Sequence, residues 1–139
     1  MTTVKEGELV MSIINLHSRI QKRVGGVLSV HGVGLSEYLV LNQLSVAPGQ
    51  KMRRVDLAEQ VGLSPSGITR LLNPMVKTGL IEKEDNPRDA RVSLVTLSSA
   101  GRRVFDEATI AFEFASTALF NSLDSKRVGK LMEILKVVS

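Results

Sequence analysis

Four side chains able to read a hydrogen-bonding surface, Ser66, Arg70, Asn73 and Lys77, recur at steps of four, three and four. At about 100° per residue they fall within about 60° of one another on a helix. Ile68, Leu71, Leu72 and Met75 take the opposite side. Arginine pairs bidentately with guanine and asparagine with adenine at major-groove base edges, so such a stripe suits DNA readout. Ser64, Ser66 and Thr69 gather at the start of the same helix, where hydroxyls and unpaired backbone N–H groups suit phosphate oxygens. The plainer reading is an amphipathic surface helix, whose outer face is also polar. The helix alone does not separate the two.

A second group follows it. Asn86-Pro87-Arg88-Asp89-Ala90-Arg91 places two arginines on a turn between two short apolar runs. A cationic loop tip can enter the minor groove, where the potential is most negative. Asp89, two residues before Arg91, can hold that guanidinium by a charge-assisted hydrogen bond. A solvated hairpin is the alternative for Arg88 and Arg91.

Other chemistries find little support. The absence of cysteine excludes disulfides, thiolate catalysis, Cys-based metal sites and thiol redox sensing. His17 and His31 lie far from metal-ligand spacing, and His17 reads best as a packed or interface histidine. There is no Gly-rich phosphate loop and no nucleophile elbow. Glu82, Glu84 and Asp85 are neighbours on a strand that alternates faces, and they read as solvated edge charges. No enzyme activity and no cofactor is expected.

The elements that would hold these residues can be placed from periodicity and caps. Val10, Ile13, His17, Ile20, Val24 and Val27 recur at steps of three and four, a helical seam that Gly25 and Gly26 weaken. Ser36 is a candidate cap for a second helix with Leu39 or Val40, Leu41 and Leu44 inside. Ala47-Pro48-Gly49 ends it. A short helix over about 55–61 ends at Gly62, and Ser64 with Pro65 opens the helix of the polar stripe. Ala58, Gly62 and Ile68 then meet the needs of a helix-turn-helix: a small crossing residue, a left-handed turn and an apolar anchor. Pro74 lies inside the second helix and predicts a kink or an early frayed end. Strands are expected over 80–84 and 92–97, with Ser93, Val95 and Leu97 on one face. Ser98 caps a long helix with its seam on Phe105, Ala108, Phe112, Ala115 and Leu119. Asp124 or Ser125 starts a last one.

With 139 residues, 43% hydrophobic and 23% charged, the chain reads as a single ordinary globular domain. No apolar run approaches the roughly 18 residues of a membrane helix, and Met1–Val10 lacks the pattern of a signal peptide. A cytoplasmic location is the default expectation. The net charge of +4 and sequence pI near 9.7 permit a polyanionic partner. Residues 50–92 nevertheless hold 8 basic against 6 acidic side chains, so placement rather than total charge must carry a DNA argument.

Leu57-Ala58, Gly62-Leu63-Ser64, Thr69-Arg70, Gly79-Leu80-Ile81, Asp89-x-Arg91 and Leu97-Ser98-x-x-Gly101 resemble the MarR (multiple antibiotic resistance regulator) family of winged helix-turn-helix transcription regulators. The motifs run over about 55–101, with Ser98 where the family usually has Thr. The resemblance implies a mainly α fold with a small β-hairpin wing. It implies one domain over 1–139, with 36–97 as the winged helix-turn-helix and 1–30 and 98–139 as dimerisation helices. It also implies a homodimer on a palindromic double-stranded DNA operator, usually a repressor, with a small-molecule effector left open and His17 facing its cavity. Ser66, Thr69 and Arg70 then lie in the major groove and Arg91, held by Asp89, on the wing. A winged-helix module that binds protein and a nonspecific architectural DNA binder are the alternatives.

Overall fold

The computed structural model describes residues 5–85, 88, 89 and 93–139. Helix α1 (Glu6–Ser29) runs unbroken through Gly25 and Gly26, with Glu6 and Glu8 at its positive end. Helix α2 (Leu35–Val46) starts two residues before the sequence-based placement. Its cap is Gly34 and not Ser36: the Gly34 N–H donates to Glu37 Oε1 at 2.7 Å, so a carboxylate in the first turn supplies the capping bond and no hydroxyl is needed. Tyr38, Val40, Leu41 and Leu44 are buried, whereas Leu39 faces out.

Pro48–Gln50 form a single 3-10 turn after α2, with Gly49 at φ 66°. A three-residue strand, β1 (Lys51–Arg53), follows that periodicity did not predict. Helices α3 (Arg54–Val61) and α4 (Pro65–Lys77) come next, then β2 (Ile81–Glu84) and β3 (Leu94–Leu97). The strands form one antiparallel sheet in the order β1-β3-β2, so the hairpin expected from sequence gains a third strand. Ile81 pairs with Leu97 and Glu84 with Leu94. Ser93, Val95 and Leu97 share the buried face, as their alternation indicated.

Helices α5 (Ser99–Leu119) and α6 (Ser125–Val138) complete the chain, the latter capped by Asp124, which accepts the Arg127 N–H. The architecture is mainly helical with a small antiparallel sheet, a winged helix-turn-helix with long helices at both ends. Tyr38 joins α2 to α5: its ring stacks on Phe105 and Phe112 at centroid distances of 5.3 and 4.9 Å, and its hydroxyl is 2.8 Å from Thr109 Oγ1. Burial raises the phenol's pKa, against the lowering effect of the Thr109 bond.

One joint ties α4, the sheet and α5 together. The Ser98 hydroxyl accepts from Gly101 N–H and donates to the Gly79 carbonyl, while the Ser98 N–H donates to the Leu80 carbonyl. A Cβ placed on Gly101 would collide with the Leu80 carbonyl oxygen. Only glycine lets the first turn of α5 come this close to the chain entering β2.

Candidate nucleic-acid interface

The turn between α3 and α4 is built by local rules. Gly62 takes φ 73° and ψ 33°, its N–H donates to Glu59 O, and Leu63 N–H donates to Ala58 O at 2.9 Å. This pair of bonds closes the end of α3 as a Schellman motif and aims the chain into α4. Ala58 and Ile68 are both buried where the two helices meet. Ser64 caps α4 by accepting the Gly67 N–H at 3.0 Å, and Pro65 occupies the first turn.

Helix α4 separates its two faces as its sequence demands. Ile68, Leu72 and Met75 are buried, while Ser66, Arg70, Asn73 and Lys77 are exposed along one stripe. Ser64 is exposed beside Ser66, their hydroxyl oxygens 3.3 Å apart. Pro74 does not fray the helix, which continues to Lys77. Arg70 and Pro74 lie on the exposed side, where water can serve the carbonyl that the proline leaves without a donor. Thr78 closes the end by sending both its N–H and its hydroxyl to Pro74 O.

Thr69 differs from its neighbour Arg70. It is half-buried, its hydroxyl donates to Pro65 O at 3.0 Å, and the same oxygen accepts from Arg54 Nη1 at 3.0 Å. Sequence reasoning did not single out Arg54, because its partner is 15 residues away and no local pattern announces the pairing.

On the hairpin, Arg88 is an exposed turn residue and Asp89 is half-buried. Arg91, with Asn86, Pro87, Ala90 and Val92, lies outside the described residues, and so does the expected Asp89–Arg91 pairing. The strand ends carry exposed ion pairs, Lys51–Glu84 at 3.4 Å and Lys83–Asp85 at 3.7 Å. Glu84 and Asp85 are thus charges at the sheet's edge, in the place read from the sequence. Arg53 and Asp56 form a two-bond fork at 2.8 and 3.2 Å at the start of α3. It lowers the Asp56 carboxyl below its ordinary pKa, chiefly through the hydrogen bond, and raises Arg53 for the same reason.

His17 is exposed on α1. His31, instead, borders an open groove of about 570 Å³ with Val27, Glu107, Ile110, Ala111 and Phe114. Among the described residues no group of three or more His, Asp or Glu side chains is placed to hold a metal ion, and no helix is long and apolar enough to cross a membrane.

The MarR family model matches residues 31–92, which hold the helix-turn-helix and much of the hairpin. The HTH-type transcriptional regulator PrsX of Escherichia coli is 25% identical over 107 residues, 77% of this chain and 64% of that relative's length. The chain therefore spans less than two thirds of that relative. An uncharacterized HTH-type transcriptional regulator of Bacillus subtilis, YdgJ, is 26% identical over 139 aligned positions, covering 96% of this chain and 85% of the relative. Among solved structures, a mutant MarR from E. coli complexed with operator DNA shares the fold at a TM-score of 0.83 and 23% identity, over 94% of this chain and 93% of that one. A MarR family transcriptional regulator from Streptomyces coelicolor in complex with DNA does so at 0.85 and 22%, over 99% and 88%. The MarR family model thus matches the chain over its helix-turn-helix, and solved MarR family proteins share its fold from end to end.

Proposed function

We propose that the protein is a sequence-specific double-stranded DNA-binding transcriptional regulator. In this reading it acts in the cytoplasm as a homodimer on a palindromic operator and, following the family's usual mode, as a repressor. The observation that carries the reading is the exposed stripe of Ser66, Arg70, Asn73 and Lys77, held on α4 directly after the left-handed turn at Gly62. Ser64 and Thr69 support its start, with Thr69 orienting the helix as well as facing DNA. Arg88, Asp89 and Arg91 form the wing. Residues 1–30 and 98–139 supply the dimer contact, since α1 and α6 carry exposed apolar side chains such as Ile13 and Leu135 that a partner would cover. Without cysteine, release from DNA would come from a reversible small ligand rather than thiol oxidation.

The test is selection of the preferred duplex from a random pool, followed by titration of wild type and Arg70→Ala. Loss of a bidentate base contact should cost about 1–3 kcal/mol on the selected site and relax selectivity at one position per half-site. The half-site centres should lie one DNA turn, roughly 34 Å, or a multiple apart. If Arg70→Ala leaves both affinity and base preference as they were, α4 does not read DNA and a protein-binding role for the winged unit replaces this one.

A further inference from the structure

Arg54 lies off the exposed stripe, yet it joins three elements. As the first residue of α3, it donates its backbone N–H to Ser93 O at 2.9 Å, at the entry to β3. Ser93 is almost fully enclosed, and its hydroxyl donates to Asp85 Oδ1 at 3.0 Å, just beyond the end of β2. The Arg54 side chain reaches the other way, Nη1 donating to Thr69 Oγ1 on α4 at 3.0 Å. Because the Thr69 hydrogen is already directed to Pro65 O, the hydroxyl oxygen is left as the acceptor for Arg54. Arg54 and Thr69 line a narrow crevice together with Asn73 of α4 and Lys83 of β2. A continuous hydrogen-bonded path thus runs from α4 through both ends of Arg54 to the base of the hairpin.

We propose that Arg54 is a positioning residue that fixes the spacing between α4 and the β2–β3 hairpin, so that helix and wing meet adjacent grooves of one duplex together. The proposal rests on the DNA-binding reading of the protein. Arginine suits the task because its planar fork offers several donors in fixed directions, whereas lysine would bring a single mobile point of charge. A charge-assisted bond to a half-buried hydroxyl is also stronger than a neutral one. An arginine acting as a direct phosphate contact would depend on neither Thr69 nor Ser93.

The experiment is a double-variant cycle, Arg54→Met, Thr69→Val and both together. Each is titrated against the selected duplex and a random duplex at several salt concentrations, with thermal unfolding of every variant as the check on folding. Arg54→Met should weaken binding to the selected duplex about tenfold. Random-duplex affinity and the dependence on salt should stay as in wild type, because no phosphate contact is removed. The double variant should be no weaker than the weaker single one, the sign of two groups acting through one bond. If Arg54→Met unfolds, Arg54→Lys takes its place; it keeps the charge and loses the fork, and the same tenfold loss is expected. A salt dependence that falls by about one ion per protomer in Arg54→Met would make Arg54 a phosphate contact and overturn the proposal. Simple addition of the two effects, or unchanged affinity in Arg54→Met or Arg54→Lys, would overturn it too. A wild-type protein that prefers no duplex would instead sink the DNA-binding reading beneath it.

Discussion

Between α2 and β3, Leu41, Leu44, Leu57, Ile68 and Met75 are completely enclosed, and the polar side chains over them lie outside. At the two ends of the chain the pattern is reversed. Leu9, Val10 and Ile13 on α1, Ile110 and Phe114 on α5, and Met132 and Ile134 on α6 all face outward, Phe114 with 79% of its surface free. Helix α6 buries none of its residues. The central unit shares its core with one face of α1 and α5, through Val24, Leu28, Phe105 and Ala108, while the opposite faces of the terminal helices stay uncovered among the described residues. Sequence alone cannot tell these cases apart, because both produce the same three-and-four spacing. The difference separates the uncovered apolar faces, proposed for a second copy, from the surface proposed for DNA.

Four changes would break or sharpen that contrast. The largest effect is expected from Ile110→Asp combined with Phe114→Asp, which puts two charges on the outward face of α5 while leaving the central core intact. Sedimentation should then show the mass falling from a dimer to a single chain near 15.1 kDa, with helical content kept in the central unit. An unchanged mass would mean that this face is not part of the dimer contact. Next is Gly101→Ala, which drives a methyl group against the Leu80 carbonyl. Backbone there cannot yield cheaply, so a loss of roughly 1–3 kcal/mol or more is expected by denaturant unfolding.

Ser98→Ala removes the cap of α5 and the bond to Gly79, and should cost about 1 kcal/mol in the same assay. The smallest change concerns the exposed fork of Arg53 and Asp56. Arg53→Gln should let the Asp56 carboxyl return upward to its ordinary pKa, read by NMR titration. Because the folded-state carboxyl is depressed, the fork's contribution is present above the unfolded-state pKa and fades as pH falls through the folded one. A variant whose Asp56 titrates as in wild type would remove Arg53 as the cause.

Much of the central unit is legible in the sequence, because it is written in local backbone rules. Gly62 must turn left-handed, Ser64 must cap and Pro65 fits the first turn, and each does so. The stripe and the buried face of α4 followed from 100° spacing alone. What escaped is non-local or too short to show a period. Strand β1 has three residues and owes its existence to β3, 40 or more positions away in the sequence. Arg54 and Thr69 find each other only after α3 and α4 cross. Ser36 offers a hydroxyl, a good cap acceptor, but the Glu37 carboxylate takes the free Gly34 N–H one turn earlier. The pattern Gly34-x-x-Glu37 was the signal to follow.

The joint of Gly79, Leu80, Ser98 and Gly101 has a mechanical consequence. It acts as a weld rather than a hinge: α5 cannot tilt at its first turn without carrying the sheet and the end of α4 along. A helix of 21 residues at about 1.5 Å per residue is a bar some 30 Å long, welded to the winged unit at its first turn and braced on α2 at Phe105, Thr109 and Phe112. A small rotation imposed near Leu119 would then be expected to carry that unit with it rather than bend α5 at the joint.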